Sequence, residues 1–158
     1  MLDGLLLDLL EGHELERVSA GAYLVTLRGR RRRSSLVWFI AGEQDVTVEA
    51  FVMHVLEGAD VGALHRLLLL RNRWLRGVHF STDDVGDVFL TGSLSLADVT
   101  PGGMDRLLGE VWQLLEDVHE SLLTAAYGPD APAKALLDGA GRRPAGTPAS
   151  APHRDARR

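Results

Sequence analysis

The sequence predicts an α+β domain with an antiparallel sheet packed on helices, and three observations carry that expectation. Three strand-like segments follow one another between residues 22 and 53, separated only by turn residues. Two more flank the turn Asp83-Asp84-Val85-Gly86. Helical apolar spacing precedes, divides and follows these strands. Strands that are consecutive in the chain pair antiparallel, and the helices cover them.

The elements follow in order. Residues 2–15 place Leu5, Leu6, Leu9 and Leu10 at helical spacing, with Asp3, Asp8 and Glu11 on other faces, which predicts a short first helix. After Gly21, residues 22–28 alternate, so that Tyr23, Val25 and Leu27 share a face. Residues 35–41 (SLVWFIA) are apolar on both faces, the pattern of a covered strand with Trp38 in the core. Gly42-Glu43-Gln44-Asp45 supplies turn chemistry. Residues 46–53 then set Val46, Val48, Ala50 and Val52 on one face, and these three strands form a meander.

Asp60 is positioned as the N-cap of a second helix over residues 60–74. Leu67 to Leu70 leave its second half little polar surface, which predicts cover from more than one side. Residues 76–82 and 87–94 form the second hairpin. Thr100 caps a last helix with Pro101 at its first position, where the missing N–H has no consequence. Its buried stripe is Met104, Leu107, Leu108, Val111, Leu114, Leu115, Val118 and Leu122. From Pro129 onward Ala, Gly, Pro and Arg dominate. This divides the chain into a domain over residues 1–128 and a disordered tail over residues 129–158. The expected order is α-β-β-β-α-β-β-α.

Composition excludes several functions. The 158 residues contain no cysteine, so disulfides and thiolate metal sites are absent, which fits a reducing cytoplasm. No basic n-region or cleavage site marks a signal peptide, and no apolar run approaches the roughly 20 residues of a membrane span. The net charge of −5 is uneven: residues 1–128 carry 19 acids and 11 bases, and residues 129–158 carry 3 acids and 6 bases. A domain this acidic disfavours phosphate backbones. Arginine outnumbers lysine 16 to one, a bias that suggests a high-GC, actinobacterial genome.

The sharpest charge feature is the run of Arg28, Arg30, Arg31, Arg32 and Arg33. Arg30 to Arg33 could hold an anion, but no aromatic residue interleaves with them, and a hairpin tip is where solvated charges belong. Catalytic and metal motifs are missing. His119-Glu120 opens a zinc-helix pattern that Leu123 breaks, and His54, His65 and His79 have no ligand spacing. Asp83, Asp84 and Asp87 suit a turn and lack the alternating ligands of a calcium loop. Gly92-Ser93-Leu94-Ser95-Leu96 is not a nucleophile elbow, and there is no phosphate-binding loop. No catalytic residue, cofactor or metal is therefore expected. The candidate partner surface is apolar: Leu67, Leu69, Leu70, Arg71 and Trp74 on the second helix, with Trp112 on the last.

Several of these residues also carry a family pattern. They are Leu68-Leu69-Leu70-Arg71-Asn72, Leu75-Arg76-Gly77-Val78, Gly86-Asp87-Val88-Phe89-Leu90-Thr91-Gly92, Leu96, Val99-Thr100 and Asp105-Arg106-Leu107-Leu108-Gly109. Upstream they are joined by Val48-Glu49-Ala50-Phe51-Val52. Over residues 2–128 the chain resembles the YbjN family, a group labelled as bacterial sensory-transduction regulators. The resemblance implies a fold similar to type III secretion chaperones, small proteins that commonly dimerise and bind segments of other proteins. It implies a non-enzymatic, cytoplasmic protein-binding module, chaperone-like or regulatory, acting as a homodimer with a protein partner. It transfers no catalytic residue. The alternative is an anion or nucleic-acid sensor using the cluster from Arg28 to Arg33.

Overall fold

The computed structural model describes residues 2–131 and residue 135. Its elements are α1 (Leu2–Leu10), β1 (Glu14–Ser19), β2 (Ala22–Arg28), β3 (Ser34–Ala41), β4 (Asp45–Met53), α2 (Val61–Asn72), β5 (Val78–Thr82), β6 (Val88–Ser95) and α3 (Pro101–Tyr127), with a 3-10 turn, Leu96–Asp98, before α3. The strands form one six-stranded sheet of order β1-β2-β3-β4-β6-β5, antiparallel throughout. The α+β class and the meander β2-β3-β4 are as expected.

The order differs by one strand. The first helix ends at Leu10 rather than near residue 15, and residues 14–19 form β1, which pairs with β2 from Glu14↔Thr26 to Ser19↔Ala22. Glu14, Glu16 and Arg17 are exposed, so this edge strand shows almost no apolar alternation; main-chain bonding holds it, with the Glu14–Arg28 and Arg17–Asp3 ion pairs and Leu15 against the core. The hairpin β5-β6 joins the same sheet, with β6 between β4 and β5.

One apolar core joins the helices to a single face of the sheet. Leu6 and Leu10 of α1, Leu64 and Leu68 of α2, and Met104, Leu107, Leu108, Val111, Leu115, Val118 and Leu122 of α3 pack with Tyr23, Val25, Val37, Phe39, Val48, Ala50, Phe80 and Leu90. Trp38 is buried as expected, but on the other face, in the cross-strand row Leu24, Trp38, Glu49, Thr91 and His79. Desolvation in that row, with Asp83 nearby, holds the Glu49 carboxyl above the ordinary carboxylate range.

Both expected caps are formed. Asp60 Oδ1 accepts from the Ala63 N–H at 2.9 Å, and Thr100 Oγ1 accepts from the Gly103 N–H at 3.1 Å. Gly128, at φ 67°, ends α3. The expected tail lies outside the described residues except for 129–131 and Ala135. Ala135 is buried, and its carbonyl accepts from the His54 N–H at 2.8 Å.

Candidate functional site

Helix α2 presents the main apolar surface. Its sequence is VGALHRLLLLRN, and only Leu64 and Leu68 are buried. Leu67 is half-buried, and Arg71 is exposed. Leu69 is 70% exposed, Leu70 51% and Trp74 77%, so the described residues supply no second cover for this face. Arg73 lies over the Trp74 ring at 5.3 Å and shields one side of it. Next to Leu69 a groove of about 230 Å³ opens between α2 and β5, lined by His65, Leu68, Leu69, Asn72, Phe80, Ser81 and Thr82. The arrangement offers aliphatic and aromatic contact area beside a shallow slot whose lining is partly polar.

Trp112 does not join this face. It is half-buried on α3, and its indole N–H donates to the Arg28 carbonyl at 2.9 Å, which ties it to the β2–β3 hairpin.

The arginine hairpin is organised around an internal anion. The Glu116 carboxylate, projecting from α3 and buried, accepts the main-chain N–H groups of Arg30, Arg31 and Arg32 at 3.1, 2.8 and 3.3 Å. Desolvation pushes its pKa up, but the three N–H donors outweigh it and hold the carboxyl below its ordinary range. Gly29 is required here, because a Cβ would collide with the Glu116 carboxylate and the Arg32 carbonyl.

Arg32 departs from its expected place at a solvated tip. It is 7% exposed, and its guanidinium donates to Ser35 Oγ at 3.0 Å, the Val52 carbonyl at 2.6 Å and the Phe51 carbonyl at 3.3 Å. It therefore closes the end of the sheet and cannot act as a surface anion contact. Arg30, Arg31 and Arg33 remain exposed. Beside them His119 is held below its ordinary pKa, first by burial and then by the Arg32 charge.

The histidines do not converge. His54 Nδ1 pairs with Asp87 Oδ2 at 2.7 Å, His65 faces the α2–β5 groove, and His79 lies on the opposite sheet face. Asp83 serves the turn, accepting from the Val85 and Asp87 N–H groups at 3.1 and 2.9 Å. Asp87 is more than a turn residue: it is 3% exposed and also accepts from the Val55 N–H at 3.0 Å. The His54–Asp87 pair joins the end of β4 to the β5–β6 turn across 33 residues, a separation no local motif signals. Among the described residues no three His, Asp or Glu side chains are grouped to hold a metal ion. No helix among them is long and apolar enough to cross a membrane.

An antiparallel sheet carrying helices on one face, with this order of elements, defines the type III secretion chaperone-like fold. Three solved structures share it. SycH from Yersinia pestis, a type III secretion chaperone in complex with a stable fragment of YscM2, matches with a TM-score of 0.53 at 15% identity, over 73% of this chain and 97% of that one. The ExsC–ExsE complex gives 0.55 at 21% identity, over 77% and 92%. The heterodimeric ExoU–SpcU complex from Pseudomonas aeruginosa gives 0.50 at 19% identity, over 80% and 98%.

The chain belongs to the YbjN family, described as "Putative bacterial sensory transduction regulator", whose pattern matches residues 3–123. An uncharacterized protein of Mycobacterium leprae is 38% identical over 104 residues, covering 66% of this chain and 56% of the relative. One of Mycobacterium tuberculosis strain H37Rv is 35% identical over 106 residues, covering 67% and 57%. The chain thus spans less than two thirds of the length of these relatives.

Proposed function

We propose that the domain is a non-enzymatic protein-binding module, chaperone-like or regulatory, that works in the cytoplasm as a homodimer. The observation that carries this reading is the α2 face, where Leu69, Leu70 and Trp74 stand exposed on a well-formed helix. Apolar groups clustered on a helix beside a shallow groove favour association, because their burial returns roughly 25 cal/mol per Å². The fold is one that, in the solved complexes named above, belongs to proteins crystallised with partner proteins, which supports the class of activity.

Size-exclusion chromatography with light scattering tests the reading. Wild type should run as a dimer at micromolar concentration, and Leu69→Glu or Trp74→Glu should yield folded monomer with affinity reduced by roughly a hundredfold, about 2–3 kcal/mol. A monomeric wild type would overturn the homodimer. Retention of the same host proteins by the wild type and by both variants in pull-downs would overturn the assignment of the partner surface.

The alternative, an anion or nucleic-acid sensor, has less support. It would rest on Arg30, Arg31 and Arg33, because the Arg28 guanidinium is paired with Glu14, Arg32 is buried, and the hairpin's converging N–H groups already hold Glu116.

A further inference from the structure

The sheet ends at β5, and the middle of that edge is occupied by a side chain. Asn72, the last residue of α2, faces Phe80, the central residue of the five-residue β5. Asn72 Oδ1 accepts from the Phe80 N–H at 2.7 Å, and Asn72 Nδ2 donates to the Phe80 carbonyl at 3.0 Å. Both main-chain groups of Phe80 therefore point away from β6 and are satisfied together. In an antiparallel ladder a residue in this position exchanges the same two bonds with one residue of the next strand. A carboxamide presents a donor and an acceptor side by side, as the N–H and C=O of one residue do in an antiparallel pair, which a carboxylate or an ammonium cannot.

We propose that Asn72 is a surrogate strand: its carboxamide takes the place of one residue's N–H and C=O in a next strand, ends the sheet at β5 and keeps that edge closed to strand pairing. Unpaired edges are ready templates for another chain. β5 is short, so one bidentate contact at its centre leaves only its first and last residues, Val78 and Thr82, with the same orientation. Because α2 ends at Asn72, the bond also fixes the helix terminus, and with it the groove wall formed by Leu68 and Leu69. The inference concerns the main chain of the sheet and stands apart from the reading of the α2 face as a partner surface.

Amide exchange resolved by NMR on the full chain tests it, with wild type, Asn72→Ala and Asn72→Asp. In Asn72→Ala the Phe80 amide should exchange about tenfold faster or more, while the Leu90 amide in the neighbouring strand stays protected. Asn72→Asp separates a surrogate strand residue from simple packing. Its carboxylate would still accept from the Phe80 N–H but would oppose the Phe80 carbonyl, so the folded-state pKa of the introduced carboxyl is raised. Protonation restores a donor. The stability deficit of this variant against wild type should therefore shrink as the pH falls from about 7 to about 4.

Unchanged protection of Phe80 in Asn72→Ala would overturn the proposal. So would a deficit in Asn72→Asp that does not change with pH, and that second measurement decides if the alanine variant fails to fold. Neither result depends on the dimer, because both read a contact made within one chain, from Asn72 to Phe80.

Discussion

Glu116 sets the sharpest quantitative expectation. Its carboxylate sits at 7% exposure and receives three main-chain N–H groups from one hairpin. The change Glu116→Gln keeps the shape but removes the charge and one acceptor. With its oxygen toward Arg30 and Arg31, the amide leaves the Arg32 N–H facing an NH₂ group. Two charge-assisted bonds then become neutral ones, each weaker by about 1 kcal/mol, and one donor is left unsatisfied at about 1–3 kcal/mol. Burying a neutral group instead of a carboxylate offsets part of this, so the expected loss is about 2–3 kcal/mol.

The loss should also depend on pH. Because the native pKa of Glu116 is depressed, its contribution is fully present above the ordinary glutamate value and fades as the pH falls through the native one. Urea unfolding followed by tryptophan fluorescence at about pH 7 and about pH 3 should show the gap between wild type and Glu116→Gln narrowing in acid. A gap under about 0.5 kcal/mol at neutral pH would refute the account of the hairpin as a nest built around this carboxylate. A gap of unchanged size in acid would refute it too.

Two further outcomes follow from buried contacts. Asp87→Ala removes the acceptor of both the Val55 N–H and the His54 ring, and should cost about 2–3 kcal/mol in urea unfolding; a loss below about 0.5 kcal/mol would count against the pair as a structural clasp. Burial, helped by the Asp3 carboxylate that accepts from its hydroxyl, pushes the Tyr23 pKa up to about 12. This raised native pKa contributes stability below the ordinary phenol value that is lost as the pH climbs toward 12, so spectrophotometric titration should show one tyrosine ionising about two units late, and Tyr23→Phe should abolish that phase.

The two halves of the candidate site were unequally legible in the sequence. Leu69, Leu70 and Trp74 could be proposed as a surface because four successive leucines overfill one helix, and the fold exposes two of them. Trp112 looked equivalent, yet its indole is bonded to Arg28, a contact made across 84 residues. The arginine run read as uniform charge, whereas the fold sorts it residue by residue. Arg32 turns inward to cap two carbonyls near the end of β4, and its neighbours stay in water.

By itself the sequence determined the strands β2 to β6, the helices α2 and α3 with their caps, and the start of α1 but not its end. Those depend on side-chain period, on Asp60 and Thr100, and on glycines at the turns, all of which act within a few residues. Only the tertiary structure decided what depends on main-chain groups meeting across the chain. Strand β1 exists because β2 offers it a ladder, although Glu14, Glu16 and Arg17 supply no apolar pattern. The Asp87 clasp, the Glu116 nest and the Asn72 closure of β5 pair a polar side chain with a backbone whose position the fold sets. Apolar burial repeats with a period and can be read in one dimension. A hydrogen bond needs one donor and one acceptor at a definite distance, and no period announces it.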